Sequence, residues 1–145
     1  MSLTDLYREV ILDHFRSPRN KGTLDAPDHH GEGTNPLCGD EIQIDLAVTD
    51  GVVSDVRIDG QGCSISQASA SMMTEAIKGK SIDDIRSLAD TFTHLMTDDD
   101  AAILDPERPG AVLGDLEALQ GVREFPVRIK CATLSWHTML DALAD

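Results

Sequence analysis

A chain of 145 residues, 41% of them hydrophobic, is long enough to bury one sizeable core and predicts a single domain over residues 1–145. Its 26 acidic residues against 12 Lys and Arg give a formal charge of −14, the opposite of a surface that neutralises phosphates, so neither nucleic acid nor an anionic membrane is an expected partner. No stretch approaches the ~18 apolar residues of a membrane span, and Met1-Ser2-Leu3-Thr4-Asp5 lacks the basic-then-apolar order of a secretory signal, so the expected location is cytoplasmic. In that reducing compartment the three cysteines point to metal, redox or nucleophilic chemistry rather than to disulfides. The alternative is that each is a small buried hydrophobe.

Leu3, Leu6, Tyr7, Val10, Ile11 and Phe15 recur at helical spacing, with Ser2 available as N-cap and Ser17-Pro18 disfavouring continuation beyond Arg16. Residues 18–36 are rich in Gly and Pro and poor in large apolar groups, which predicts a loop that delivers the chain to Cys38. Ile42, Ile44, Leu46 and Val48 alternate with Gln43, Asp45, Ala47 and Thr49; Asp50-Gly51 then precedes a second alternation through Val52, Val56 and Ile58. This is the pattern of a β-hairpin with a type I′ turn, one face of it apolar for packing against helices.

After Gly60-Gln61-Gly62-Cys63 the pattern becomes helical through Ile65, Ala68, Met72, Ala76 and Ile77, ending near Lys78-Gly79-Lys80, so Cys63 stands at a helix entry. Ser81 caps a further helix with Ile82, Ile85, Leu88, Ala89, Phe92, Leu95 and Met96 on one side. Residues 97–121 form an expected excursion, with the acidic run Asp98 to Asp100, the turn pairs Asp105-Pro106 and Pro109-Gly110, and one short helix carrying Leu113, Leu116 and Leu119. These three leucines fit a satellite core better than a partner face. The final helix carries Ala132, Trp136, Met139, Leu140 and Leu143, preceded by Val122 to Lys130, which sets Cys131 at another helix start. The fold class is therefore α+β, a small antiparallel sheet with helices packed on it.

Cys38 and Asp40 stand two positions apart, which on an extended backbone turns both side chains to one side. With Cys63 and Cys131 they make three thiolates and one carboxylate, a tetrahedral set suited to zinc or to iron in a cluster. Helix N-termini at Cys63 and Cys131, with Arg128 and Lys130 nearby, would favour thiolate over thiol. His14 falls on the inner side of the first helix as a structural residue, and His29 and His30 in the polar loop are expected to be solvated. His137 lies six positions beyond Cys131, about 240° round a helix and off the thiol's face.

Three segments, Asn35-Pro36-Leu37-Cys38-Gly39-Asp40, Gly60-Gln61-Gly62-Cys63-Ser64-Ile65-Ser66 and Phe125-Pro126-Val127-Arg128-Ile129-Lys130-Cys131-Ala132, together with Leu6 to His14 and Pro18-Arg19-Asn20, resemble the IscU/NifU-type family of iron–sulfur assembly proteins. The resemblance covers nearly the whole chain and implies a SufE/NifU-like α+β domain in which Cys38, Asp40, Cys63 and Cys131 bind zinc or hold a nascent cluster. Lys130, where the scaffold branch has His before its last Cys, and the insertion at roughly 97–121 are similar to the SufU branch. For that branch the resemblance implies a zinc-dependent sulfurtransferase, not self-sufficient as an enzyme, that takes persulfide sulfur from a SufS-type cysteine desulfurase. Cys38, on the loop side of the site, is the expected sulfur acceptor, and Arg128 or Lys130 would assist the charged intermediate or the docking. The alternative is a scaffold carrying a [2Fe–2S] cluster for apo iron–sulfur proteins or another scaffold, with iron in place of zinc; a third reading is a purely structural zinc site.

Overall fold

The computed structural model describes residues 3–97 and 113–144; Ser2, the run Asp98 to Asp100 and the pairs Asp105-Pro106 and Pro109-Gly110 lie outside the described residues. Helix α1 (Leu3–Arg16) presents Tyr7, Val10 and Ile11 to the core, while Leu6 and Phe15 stay exposed. It stops at the predicted place, the Ser17 amide closing the last turn onto the Asp13 carbonyl ahead of Pro18.

Three antiparallel strands follow in the order β1 (His29–Asn35), β2 (Asp40–Thr49) and β3 (Val52–Gln61). Strands β2 and β3 are the predicted hairpin, and Asp50 (φ 54°) and Gly51 (φ 77°) both take the left-handed conformation of a type I′ turn. The core face differs by one residue from the expected alternation: Val53 is buried, not Val52. A register shift opposite Ala47/Val48 inserts Ser54 as an extra residue, so the inward positions run Val53, Val56, Ile58.

Strand β1 corrects the expectation of a loop through residues 18–36. Its alternation is carried by glycine, with Gly31 and Gly33 facing inward between exposed His30, Glu32 and Thr34, so no apolar pattern marks it. Those glycines have a packing reason. A Cβ at Gly33 would overlap the Thr138 hydroxyl and one at Gly31 would come 2.9 Å from the Thr138 carbonyl oxygen, so only glycine lets the last helix press this close to the edge strand.

Helices cover one face of the sheet: α2 (Ser64–Ile77) lies against β3, α4 (Pro126–Ala144) against β1 and β2, and α3 (Ile82–Thr97) against α4. Ser81 caps α3 as expected, its Oγ accepting from the Asp84 amide at 3.1 Å. Phe92 of α3 stacks on Trp136 of α4 with ring centroids 4.9 Å apart, a contact worth about 1 kcal/mol beyond its buried area. Leu113, Leu116 and Leu119 are core residues, the last two on the helical segment Gly114–Glu124 that packs on α1, α2, α3 and α4.

Helix α4 begins at Pro126, five residues earlier than the sequence pattern suggested. Proline at the first helical position has no amide to leave unsatisfied and its φ is already helical. The effect is to place Cys131 in the second turn, not at the helix start.

Candidate metal centre

The four expected ligands converge from four parts of the chain. Cys38 sits in the four-residue connection Pro36–Gly39 between β1 and β2, a turn closed by the Cys38 amide donating to the Asn35 carbonyl at 3.2 Å. Gly39 takes φ +68° and a Cβ there would meet nothing, so this glycine serves the turn and not a close approach. Cys38 and Asp40 are therefore brought to one side by a turn and not by strand alternation. Asp40, buried, opens β2; Cys63 is the N-cap of α2, its Sγ accepting from the Ser66 amide at 3.4 Å.

The Cys38 and Cys131 sulfurs lie 3.2 Å apart, and the Cys38, Asp40 and Cys131 ligand atoms all fall within 4.8 Å of one another. Cys63 Sγ stands just outside this trio, 3.8 Å from Asp40 Oδ2, while its amide donates to Asp40 Oδ1 at 2.8 Å. The donor set, three thiols and a carboxylate, is one a tetrahedral zinc ion accepts. At 3.2 Å the paired sulfurs are closer than the ~3.8 Å edge of a zinc–thiolate tetrahedron with bonds of about 2.3 Å, a gap closed by a shift of roughly half an ångström. The residues fit such an ion.

Two further residues, Asn35 and Gly62, build the site by their contacts with Asp40. Asn35, buried at the end of β1, reaches Asp40 Oδ2 (3.4 Å) and Cys131 Sγ (3.6 Å) with one amide nitrogen. Gly62 (φ +150°) lies against Asp40, where a Cβ would overlap Oδ1 and come 2.9 Å from Asp40 Cα. Gly60 is similarly pressed, since a Cβ there would overlap the Glu41 carbonyl. The strand β3 runs through Gly60 and Gln61, so this segment is the end of a strand. The alternating glycines 31, 33, 60 and 62 were the available signal for close backbone packing.

Burial first, then hydrogen bonding to Cys38, Asp40 and Cys63, pushes the Cys131 thiol up, and Cys131 lies a turn inside α4 and not at the helix start where it was expected. The last turn of approach to the site carries Arg128, exposed and three residues before Cys131. Its hydrogen bond to Cys131 and its attraction to Cys63 and Cys38 raise its pKa, so its charge is felt by the thiols. Lys130 is exposed, one position from Cys131 and so about 100° round the helix from it. Leu37, 69% exposed, adjoins Cys38, and exposed Phe125 and Val127 flank the start of α4. His29 and His30 lie in β1 and not in a loop; His30 pairs with Asp45 at 2.6 Å. His137 is exposed, off the thiol's face as expected.

The family profile of the NifU-like N-terminal domain matches residues 6–132. The chain is 47% identical, over 99% of its length and 92% of the relative's, to the zinc-dependent sulfurtransferase SufU of Bacillus subtilis. It is 38% identical, over 97% of its length and 84% of the relative's, to the iron–sulfur cluster assembly scaffold protein IscU of Streptococcus pyogenes. A solved structure from Fervidobacterium islandicum, described as an iron–sulfur cluster assembly scaffold for the SUF system, superposes with a TM-score of 0.82 at 30% identity, covering 98% of this chain and 99% of that one. The turn-borne Cys38, the Asp40 seated by Gly62, the helix-capping Cys63 and the buried Cys131 thus belong to a chain of the NifU-like N-terminal domain family, the family of the IscU and SufU proteins.

Proposed function

We propose that this protein, one domain over residues 1–145, serves iron–sulfur cluster assembly in the cytoplasm as a zinc-dependent sulfur acceptor. Cys38, Asp40, Cys63 and Cys131 would hold the zinc and a SufS-type cysteine desulfurase would supply the sulfur. The reading rests on the relatives described above and on one observation of the site: the three thiols are not equivalent. Cys131 is buried and Cys63 caps α2, whereas Cys38 is half-buried on a turn, so Cys38 can leave its place without opening a helix.

Bound zinc would keep the thiols deprotonated at neutral pH. The Cys38 thiolate attacks the outer sulfur of the desulfurase persulfide; the new S–S bond forms on Cys38 as the old one breaks, and the desulfurase thiolate leaves. Arg128, exposed and three residues before Cys131, would offset the negative charge of that step. Exposed Leu37, next to Cys38, and exposed Phe125 and Val127, at the start of the helix that carries Cys131, would offer the partner apolar contacts.

The test measures zinc and iron per chain in protein purified without a histidine tag, then alanine release by a SufS-type desulfurase given cysteine. Near-stoichiometric zinc, with stimulation lost in Cys38→Ala, supports sulfur acceptance. Iron with acid-labile sulfide and no stimulation means a scaffold, and thiols that resist alkylation and never take up sulfur mean a structural zinc site.

A further inference from the structure

Away from the thiols, three metal-ligating side chains meet where α1, α2 and the segment Gly114–Glu124 come together. His14 of α1 is 1% exposed, and its Nε2 lies 2.9 Å from Asp115 Oδ2 and 3.6 Å from Glu75 Oε1. One ligand atom from each of the three falls within 4.8 Å of the other two. We propose that His14, Glu75 and Asp115 form a second site, for a divalent transition-metal ion, that fastens these three elements to one another.

The imidazole is oriented the way a ligand must be. His14 Nδ1 is 2.8 Å from Ser71 Oγ, which also accepts from the Arg19 amide at 2.9 Å. A serine hydroxyl can donate to a ring nitrogen or accept from it. With the site empty, the Ser71 hydroxyl donates to Nδ1 and Nε2–H donates to Asp115. With an ion bound, the ring proton sits on Nδ1 and donates to Ser71, and the Nε2 lone pair faces the ion. A fixed hydrogen bond to the far ring nitrogen is the usual support of a metal-bound histidine.

Charge and space agree with this. Arg19 pairs with Asp13 at 2.5 Å, and its Nε is 3.7 Å from Glu75 Oε1. Arg19 is thus shared between Asp13 and Glu75, and the two carboxylates Glu75 and Asp115 supply the negative charge that a divalent ion needs. A cavity of about 250 Å³ lined by Met72, Glu75, Ala76, Leu113, Asp115 and Leu116 adjoins the carboxylates, with room for the waters that complete coordination. One imidazole and two carboxylates suit zinc, manganese, iron(II) or cobalt(II) and, lacking sulfur, differ in kind from the thiol centre. Glu75 lies twelve residues along α2 from Cys63, about 18 Å at 1.5 Å per residue, so the inference is independent of what the thiols do.

Cobalt(II) added to the zinc-loaded full chain tests it, with bound metal counted by equilibrium dialysis and the visible spectrum recorded. The site predicts one further equivalent whose d–d bands appear without thiolate-to-cobalt charge transfer. Glu75→Gln and Asp115→Asn, at carboxylates that are 50% and 59% exposed, should each weaken that equivalent about tenfold or more with the far-ultraviolet circular dichroism unchanged. The equivalent should also persist in Cys38→Ala, which separates it from the thiol centre. Absence of a second equivalent, or its survival at full affinity in the Glu75→Gln/Asp115→Asn double variant, overturns the proposal.

Discussion

The thiol corner and the His14 cluster each join segments distant in the chain through polar groups, yet they are held in opposite ways. At the thiol corner the backbone does the positioning: the Asn35–Cys38 turn, Gly62 against Asp40 and the start of α2 set the ligands in place. At His14 the side chains themselves are the fasteners, since Ser71, Asp115 and Glu75 reach the ring from two other elements. A corner placed by backbone can exchange a ligand while its fold stands, which suits reversible chemistry. A cluster that is itself the fastening can lose no member cheaply.

The largest expected effect strikes the backbone of the thiol corner. Gly62→Ala puts a Cβ into Asp40 at a φ of +150° and should cost about 3 kcal/mol in denaturant unfolding and abolish stoichiometric metal binding; a variant that keeps its zinc would show that Asp40 has another way to seat itself. Ser71→Ala leaves His14 Nδ1 and the Arg19 amide without their shared partner and should cost about 2 kcal/mol, with metal binding at the thiols unchanged. Equal loss in both properties would erase the contrast between the two regions.

Asn35→Ala removes the donor shared by Asp40 and Cys131, and the expected outcome in a competition titration with a chelator is about tenfold weaker metal binding. The smallest effect falls on β1, outside both clusters. The Asp45 carboxylate, chiefly through its hydrogen bond, raises the His30 pKa above its ordinary value. The pair therefore stabilises the fold fully below about pH 6.5 and loses that contribution as pH rises through the raised value. The ring is half exposed, so His30→Gln should destabilise by about 0.5 kcal/mol near pH 5.5 and by much less near pH 9; an equal loss at both would show that packing, not charge, is involved.

Elements encoded by local pattern were legible in the sequence. The α1 stop before Pro18, the Asp50-Gly51 turn, the Ser81 cap and the entry of Cys63 into α2 are where residue types place them. Strand β1 was hidden because its inward residues are glycines, whose role is the absence of a side chain against α4. The start of α4 was hidden because Phe125, Val127, Arg128 and Lys130 are exposed and show no apolar period. The β3 bulge was hidden because one inserted residue shifts the alternation without changing its composition.

The sequence by itself determined the donor types, three thiols and a carboxylate, their family resemblance and the α+β class, because these depend on residue identity and short-range periodicity. Only the tertiary structure decided that Cys38 and Cys131, 93 positions apart, bring their sulfurs to 3.2 Å, that Cys131 is the buried thiol and Cys38 a half-buried one, and that Asn35 and Gly62 hold Asp40. The physical reason is packing. Distances between remote segments are set by how closely α4 can press on the glycines of β1 and how tightly β3 passes Asp40, and no local pattern records that closeness.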